Sequence, residues 1–314
     1  MEIVVADIGG THARFAVASL DGCRVAGVSD STTVRVADHE DFEAAWRAYA
    51  AISPYPLPRA ASIAVAGPVD GDEVRLTNGA WVIRPASLEQ ELGIDRPLII
   101  NDFAAIAHAV AVLPDEHFKH VAGPGQELSD KRVISVIGPG TGLGAAMVVR
   151  HAAGYEIVPT EGGHIAFAPL DPAEDVMLDR LRKEYGRVSV ERIVSASGLR
   201  AMTDGAPADT EALWKSALSG AHATALERYF LSLGSVAGDL ALAQGAEAVV
   251  LAGGQGQRIA DRLPASGFHD RFVAKGRFRR RMEAMPVKLV AHPEPGLYGA
   301  AAAFARAAES KGTR

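Results

Sequence analysis

The chain has 314 residues, of which 48% are apolar and 22% charged, and its net charge is −6 at pH 7. This composition is typical of a globular protein, and the length allows two domains with separate cores. The negative charge argues against general nucleic-acid binding, and no apolar run reaches the roughly 18 residues of a membrane span.

Cys23 is the only cysteine, which excludes an internal disulfide and a multi-cysteine zinc site. The first residues carry no basic segment, and Asp7 comes too early for a signal peptide. Together these features predict a cytoplasmic protein with no membrane partner.

The first predicted elements form a hairpin, with an apolar strand at 3–6, a glycine turn at 7–11 and a second strand at 13–18. Glycines leave little bulk at such a tip, so backbone N–H groups can approach a phosphate closely. A plain hairpin turn needs only the two glycines. Asp7 and Thr11 favour a functional turn, because a carboxylate can hold magnesium through water and a hydroxyl can bond a phosphate oxygen.

Strands and helices alternate after this hairpin. The pattern predicts one or two strands at 25–36, a helix at 40–51, a strand at 62–66 and a short helix at 85–92. The polar loop at 76–81 lines a cleft in one interpretation and is a plain surface loop in the other.

The stretch 98–105 is central to the interpretation. Residues 98–100 are predicted to end a buried strand, Asn101 and Asp102 follow at its carboxyl end, and a helix is predicted at 103–112. Asp102 could be no more than a helix cap. The alternative is a functional carboxylate, because open α/β folds bind ligands at the carboxyl ends of their strands.

The second half of the chain repeats the plan of the first. After an irregular segment at 114–130, where a domain boundary is predicted, come a strand at 133–137, a glycine turn at 138–144 and a strand at 145–149. The repeat suggests a duplicated architecture in which each half supplies one phosphate loop.

The remaining sequence alternates in the same way. The pattern predicts a helix at 175–185, short helical pieces at 189–192 and 195–202, and helices within 211–243 that are broken near Gly220. A strand at 248–252 then leads into the glycines at 253–256, after which a helix begins. The last predicted elements are a strand at 286–291 and a helix at 297–308. The basic segment 275–281 is interpreted as a solvated face, with an anion contact as the alternative.

Two common nucleotide motifs are set aside. Gly140-x-Gly142-x-x-Ala145, with Glu161 further on, formally fits a dinucleotide fingerprint, but the residues after the glycines predict a strand rather than a helix. There is no Gly-Lys-Ser/Thr of the P-loop type. Three strand-plus-glycine units and Asp102 instead match the needs of phosphoryl transfer: backbone donors, a metal and a base.

Taken in order, these motifs resemble the bacterial glucokinases of the hexokinase–actin superfamily, in the group without the zinc-binding cysteine motif. The resemblance covers nearly the whole chain, and its residues are Asp7-Ile8-Gly9-Gly10-Thr11-His12-Ala13-Arg14, Leu76-Thr77-Asn78, Ile100-Asn101-Asp102-Phe103, Gly138-x-Gly140-Thr141-Gly142-Leu143-Gly144, Glu161-Gly162-Gly163-His164, Val188-Ser189-Val190-Glu191-Arg192, Ala252-Gly253-Gly254, Lys275-Gly276-Arg277-Phe278 and Pro295-Gly296-Leu297. It implies an α/β protein of two actin/hexokinase-like (ribonuclease H-like) domains around a cleft, at 1–112 plus 298–314 and at 113–297.

The resemblance also implies an ATP-dependent glucokinase in which Asp102 is the general base for the 6-hydroxyl of glucose. The implied sugar-binding residues are Asn78, Asn101, Asp102, Glu161, His164 and Glu191. The implied ATP-binding residues are Asp7, Gly9, Gly10, Thr11, Gly138, Gly140, Thr141, Gly142, Gly253 and Gly254. Asp7 is expected to hold Mg²⁺ through water, and a homodimer is expected.

One segment departs from the family pattern: Ser195-Ala196-Ser197-Gly198-Leu199 stands where Ser-Gly-Pro-Gly-Leu is expected. That difference affects the local backbone path but removes no catalytic group.

Several alternatives stay open from the residues alone. His164 could be a structural histidine and Glu191 an ordinary surface charge. The substrate could be another hexose, such as fructose or mannose. The chain could also be a sugar-responsive regulator on a kinase fold, although no helix-turn-helix extension is predicted.

A sugar held by both Asp102 and Glu161 would touch both halves of the chain. Its binding is therefore expected to favour a closed form.

Overall fold

The structure is a computed structural model that describes residues 1–69, 71–77 and 79–312. The strands are β1 (Glu2–Ile8), β2 (His12–Asp21), β3 (Arg24–Val28), β4 (Thr32–Arg35), β5 (Ala60–Val65), β6 (Val74–Arg75), β7 (Val82–Ile83), β8 (Arg96–Asn101), β9 (Phe118–Ala122), β10 (Val133–Pro139), β11 (Leu143–His151), β12 (Gly154–Thr160), β13 (Ala248–Leu251) and β14 (Val287–Val290). The helices are α1 (Phe42–Ile52), α2 (Leu88–Leu92), α3 (Asp102–Val112), α4 (Pro172–Tyr185), α5 (Ala196–Ala201), α6 (Thr210–Leu218), α7 (Ala223–Ala243), α8 (Gly253–Ile259), α9 (Phe268–Val273), α10 (Arg279–Glu283) and α11 (Pro295–Gly312).

The chain divides into two compact units. Unit 1 comprises Met1–Leu113 and the C-terminal segment from His292, and unit 2 is Pro114–Ala291. The sequence-based division places the second boundary after residue 297, whereas the structure has 292–297 in unit 1. There Glu294, just before α11, accepts a hydrogen bond from the Ser31 hydroxyl at 2.5 Å, which ties this segment to the N-terminal residues.

The sheet of unit 1 brings several strand ends to one edge. Its order is β3-β2-β1-β5-β8, with β4 also paired to β2. β1, β5 and β8 are parallel, and Ile8, Val65 and Asn101 lie in one row across them. Because parallel strands end on the same side, the glycine turn after β1 and the acid after β8 share an edge of the sheet.

A cluster of aromatic side chains packs α1 against β2, the second strand of the β1–β2 hairpin. Phe42, Trp46 and Tyr49 lie on one face of α1, and all three are buried against Phe15 of β2. The ring centroids of these three residues lie 5.2 to 6.3 Å from that of Phe15. Asp41 begins the helix by accepting a hydrogen bond from the Ala44 N–H at 2.7 Å.

Unit 2 repeats the sheet plan of unit 1. Its order is β12-β11-β10-β13-β14-β9, and β10 pairs antiparallel with β11 and parallel with β13. β1 makes the same two kinds of pairing with β2 and β5. Ile137 and Leu251 lie opposite each other, so the glycines after β10 and β13 meet at one edge. The predicted duplication of the architecture is confirmed.

The long helix α7 forms much of the core of unit 2. Thirteen of its residues are buried, among them Tyr229, Phe230 and Leu233. Gly220 ends the preceding helical segment with a φ of +100°, which explains the predicted break between α6 and α7.

Among the described residues, no helix is both long and apolar enough to cross a membrane.

Candidate active site

The acid at the end of β8 is not needed to cap the helix that follows it. Asn101 is the N-cap of α3, and its Oδ1 accepts hydrogen bonds from the N–H groups of Phe103 at 2.9 Å and Ala104 at 3.1 Å. The Asp102 carboxylate accepts from the Phe103 N–H at 2.8 Å. With Asn101 as the cap, Asp102 is left for a different role.

The environment of Asp102 suits a proton acceptor. Burial raises the pKa of Asp102 to about 6, and the negative charge of Asp7 acts in the same direction. The Phe103 N–H partly opposes both effects. A carboxylate with this pKa is mostly ionised at neutral pH and still accepts a proton readily, as a general base must.

Asp7 faces a cation and the start of a helix. Its Oδ2 lies 3.6 Å from the Arg14 guanidinium, the partner opposite it in the β1–β2 hairpin. Burial raises the pKa of Asp7, and Arg14 opposes that rise. A Cβ at Gly296 would lie 2.5 Å from Asp7 Oδ2, so the close approach of α11 requires glycine there.

The turn between β1 and β2 is compact and open at its tip. The Gly9 N–H donates to the His12 carbonyl at 2.9 Å, which closes the turn. Gly10 is partly exposed and Thr11 is exposed. Their backbone is therefore accessible to a ligand.

The carboxylates of unit 1 fit a magnesium ion that arrives with a phosphate ligand. Among the described residues there is no group of three or more His, Cys, Asp or Glu able to hold a metal by themselves. Magnesium in phosphoryl-transfer sites is usually held by one or two carboxylates together with substrate phosphates and water. Asp7, with Asp102 close enough to be affected by its charge, supplies that number.

The polar loop between β6 and β7 is anchored beside the cap of α3. The Thr77 N–H donates to the Ala66 carbonyl at 2.9 Å, and the Asn101 Nδ2 donates to the Gly67 carbonyl at 3.2 Å. Asn78, a predicted sugar-binding residue, lies outside the described residues. Asn101 is another predicted sugar-binding residue. Its oxygen caps α3, a role that the sequence allowed for either Asn101 or Asp102, and its nitrogen bonds the Gly67 carbonyl.

The buried indole of Trp81 fixes the far end of this loop. Its Nε1 donates to the His39 carbonyl at 3.2 Å. Trp81 therefore has a structural role at the end of the polar loop 76–81.

Unit 2 supplies the second and third glycine elements. In the turn between β10 and β11, the Gly140 N–H donates to the Gly142 carbonyl at 2.8 Å, and Thr141 is exposed at the tip. Gly253 begins α8 with a φ of +81°, and a Cβ there would lie 3.2 Å from the Pro139 carbonyl oxygen. The structure thus brings the two glycine elements of unit 2 together, as the parallel strands predict, with exposed Gly254 next in the chain.

The predicted sugar-binding residues of unit 2 lie on neighbouring short turns. Glu161 precedes the turn Gly162–His164 and His164 ends it, with 3.8 Å between the Glu161 carboxylate and His164 Nε2. Their side chains are 90% and 59% exposed. Glu191 lies on the turn Val190–Arg192, and the Val190 N–H donates to the Ile165 carbonyl at 2.9 Å. All three side chains are therefore carried by segments in direct contact.

Two arginines, one in each unit, contact predicted site residues and were not predicted to do so. Arg14 stands in the first motif of the chain, and its place opposite Asp7 in the predicted hairpin is a sequence signal for this ion pair. Arg187 donates to the His164 carbonyl at 2.6 Å and had no sequence signal, because the contact joins residues 23 positions apart.

The segment that departs from the family pattern contacts the glycine turn between β10 and β11. Ser195 Oγ accepts from the Gly198 N–H at 3.3 Å at the start of α5, and the Ala196 N–H donates to the Gly140 carbonyl at 3.1 Å. A Cβ at Gly198 would lie 1.9 Å from the Ile193 carbonyl oxygen, so the glycine of this segment is required.

Comparisons with known proteins agree with this geometry. The family model described as "Glucokinase" matches residues 4–307. A glucokinase from Zymomonas mobilis is 51% identical over 317 residues, covering 97% of this chain and 98% of that protein. The crystal structure of a glucokinase from an Antarctic psychrotroph has a TM-score of 0.83 and 34% identity, covering 97% of this chain and 99% of that one.

A more distant structural relative shares the fold. The crystal structure of a ROK family glucokinase from Streptomyces griseus, in complex with glucose and AMPPNP, has a TM-score of 0.66 and 20% identity, covering 98% of this chain and all of that one.

Proposed function

The chain belongs to the glucokinase family and phosphorylates glucose with ATP, and we propose that Asp102 is the general base of this reaction. The observation that carries the proposal is the position of Asp102 at the carboxyl end of β8, with a pKa of about 6 and a separate residue capping the helix. In this role Asp102 accepts the proton of the glucose 6-hydroxyl. The oxygen then bonds to the γ-phosphorus of ATP as the bond to ADP breaks.

We further propose that the three glycine elements hold ATP. Gly9, Gly10 and Thr11 would contact phosphates from unit 1. Gly138, Gly140, Thr141 and Gly142 would do so from unit 2, with Gly253 and Gly254 beside adenosine. The support is that each turn presents backbone with little side-chain bulk, which lets N–H groups reach phosphate oxygens. The structural relative from Streptomyces griseus was solved with AMPPNP, an ATP analogue.

Asp7 is the proposed magnesium-binding residue, acting through water. A magnesium ion bound with ATP supplies positive charge to the β- and γ-phosphates. Asp7 itself would orient the water shell of the ion. In the metal-free protein, the negative charge of Asp7 contributes to the raised pKa of Asp102. Arg14 holds one side of the Asp7 carboxylate.

Glu161, His164 and Glu191 are the proposed partners of the other sugar hydroxyls, with Asn78 and Asn101 on the unit 1 side. Each hydroxyl of a hexose can both donate and accept a hydrogen bond. Carboxylates, an imidazole and amides that pair with them also reject analogues that leave a buried group unpaired. For Asn101 the contact would use capacity that remains beside its bonds to the helix and to Gly67.

The direct test is a coupled ADP-release assay with Mg-ATP across glucose, fructose and mannose. The proposal expects the highest kcat/KM with glucose. A clear preference for another hexose would keep the base and overturn the sugar assignment. No turnover with any hexose, in protein that binds sugar, would favour a sugar-responsive regulator. A homodimer and a cytoplasmic location also remain predictions, the first of which sedimentation can test.

A further inference from the structure

We propose that Glu191 also positions the glycine turn between β10 and β11, so that a single carboxylate serves both the sugar and the nucleotide. The inference rests on the proposed function. It goes beyond it by giving Glu191 an effect on nucleotide binding that is present without sugar.

The inference is based on a hydrogen bond between two segments that are distant in the sequence. Glu191 Oε2 accepts from the Leu143 backbone N–H at 3.0 Å, although the two residues are 48 positions apart. Leu143 is the first residue of β11 and closes the glycine turn. A carboxylate that accepts a backbone N–H makes one of the stronger hydrogen bonds in proteins, so this contact holds the turn firmly.

The glycine at position 142 makes room for this carboxylate. A Cβ there would lie 2.4 Å from Glu191 Oε2 and 3.1 Å from its Cδ. At Gly140 the nearest atom to a Cβ would be the Gly142 carbonyl oxygen, at 3.9 Å. Only the second of these glycines is therefore needed for the approach of Glu191.

The same residue, Leu143, also meets the turn that carries Glu161 and His164. A Cβ at Gly163 would lie 2.2 Å from the Leu143 carbonyl oxygen, so the two backbones pack closely. Leu143 thus contacts one sugar-binding segment through its N–H and another through its carbonyl.

The turn that carries Glu191 is itself well fixed. Val190 and Ile193 on either side are buried. The Arg192 guanidinium lies 4.2 Å from the centroid of the Tyr185 ring. The Glu191 side chain therefore extends from a rigid base, as a positioning residue requires.

A carboxylate has enough acceptor capacity for both tasks. Each oxygen carries two lone pairs, so Oε2 can hold the Leu143 N–H while Oε1 accepts from a sugar hydroxyl. A turn held in place loses less conformational entropy when a phosphate binds. Ordering of Glu191 by sugar would then favour nucleotide, and the effect is reciprocal by linkage.

The test measures ADP affinity by calorimetry in the absence of sugar, in Glu191→Ala and Glu191→Gln. Glutamine keeps an acceptor for the Leu143 N–H and loses only the charge. We expect Glu191→Ala to bind ADP about tenfold more weakly and Glu191→Gln to stay within about twofold of the unchanged chain. Both should bind glucose more weakly. If the Glu191→Ala variant is folded and its ADP affinity equals that of the unchanged chain, the inference is overturned.

A second pair of variants tests the contact without altering Glu191. Gly142→Ala should displace the carboxylate and weaken both ADP and glucose, whereas Gly140→Ala should leave glucose affinity unchanged. Unchanged glucose affinity in Gly142→Ala would contradict a shared carboxylate. If the unchanged chain bound neither ligand, the proposed function would fail together with this inference. If the unchanged chain binds both ligands and Gly142→Ala has the same ADP and glucose affinities as Gly140→Ala, only the inference fails.

Discussion

Asp7 lies close enough to Asp102 for its negative charge to reinforce the effect of burial, and together they hold the pKa of Asp102 at about 6. The arrangement follows from the sheet, because β1 and β8 flank β5 and run parallel to it. In the metal-free protein, the proposed metal-binding acid therefore also raises the pKa of the proposed base.

The raised pKa has a consequence for stability. Asp102 has an ordinary pKa of 3.8 in the unfolded chain and about 6 in the folded one. The folded state binds more protons between these values, so stability falls as pH rises through this window. Asp102→Asn removes that cost and should stabilise the protein by about 1–3 kcal/mol at neutral pH, with little gain near pH 4. Thermal unfolding at both pH values measures this, and an equal gain at both would contradict it.

Removal of the neighbouring charge should lower the pKa of Asp102. In Asp7→Asn the burial effect remains and the like-charge effect is lost. The acid limb of the kcat/KM profile, where activity rises as Asp102 ionises, should move to lower pH. NMR titration of the Asp102 carboxyl in metal-free protein measures the same shift without catalysis. A limb that stayed in place or moved upward would show that Asp7 does not act on the base.

The glycine turn of unit 2 can be tested by added bulk. Gly140→Val should weaken ATP binding more than glucose binding, because a branched side chain blocks the approach of phosphate to the backbone N–H groups. Gly140 is partly exposed and a Cβ there meets no atom closer than 3.9 Å, so folding should tolerate the change. Calorimetry on the folded variant separates the two affinities, and equal losses would count against the phosphate assignment.

Glu161 offers a test of the sugar contacts. Glu161→Gln keeps the size and loses the charge, and it should weaken glucose binding by about 1.5–3 kcal/mol, the range for hydrogen bonds to charged groups. The side chain is 90% exposed and makes no buried contact, so stability should not change. ATP affinity without sugar is the internal control. Unchanged glucose affinity would remove Glu161 from the site.

Much of unit 1 and of its predicted site follows from local sequence. Apolar runs that end in glycine or in Asn-Asp mark strand ends, and parallel pairing then brings those ends to one edge. That reasoning predicted the strand, the acid and the helix around Asp102. It could not separate the cap from the functional acid, because Asn101 and Asp102 are both good caps. The hydrogen bonds of Asn101 make that distinction.

Edge strands were the main failure. β9 lies in the stretch 114–130 that was predicted to be irregular, and β12 was not predicted at all. Both are outer strands of the unit 2 sheet, formed by pairing with β14 and β11. Only Phe118, Val121 and Ala122 of β9 are buried. Such a strand depends on a distant partner more than on its own pattern.

The basic segment 275–281 was predicted as a solvated face, and the prediction fails at one residue. Lys275 has only 7% of its side chain exposed, donates to the Ser235 carbonyl at 2.8 Å and pairs with Asp239 at 2.7 Å. Arg277, Arg279 and Arg280 are exposed as predicted. These contacts join Lys275 to residues of α7 that are far away in the sequence, so no local sequence pattern predicts its burial.

The role of Asp102 is tested most directly by Asp102→Asn, with kcat in the coupled assay and glucose affinity measured on the same preparation. The asparagine keeps the acceptor for the Phe103 N–H, so fold and sugar binding should persist. The loss of a positioned base should lower kcat by roughly 10²–10⁴-fold. A folded variant that binds glucose and turns over at nearly the normal rate would show that Asp102 is not the base.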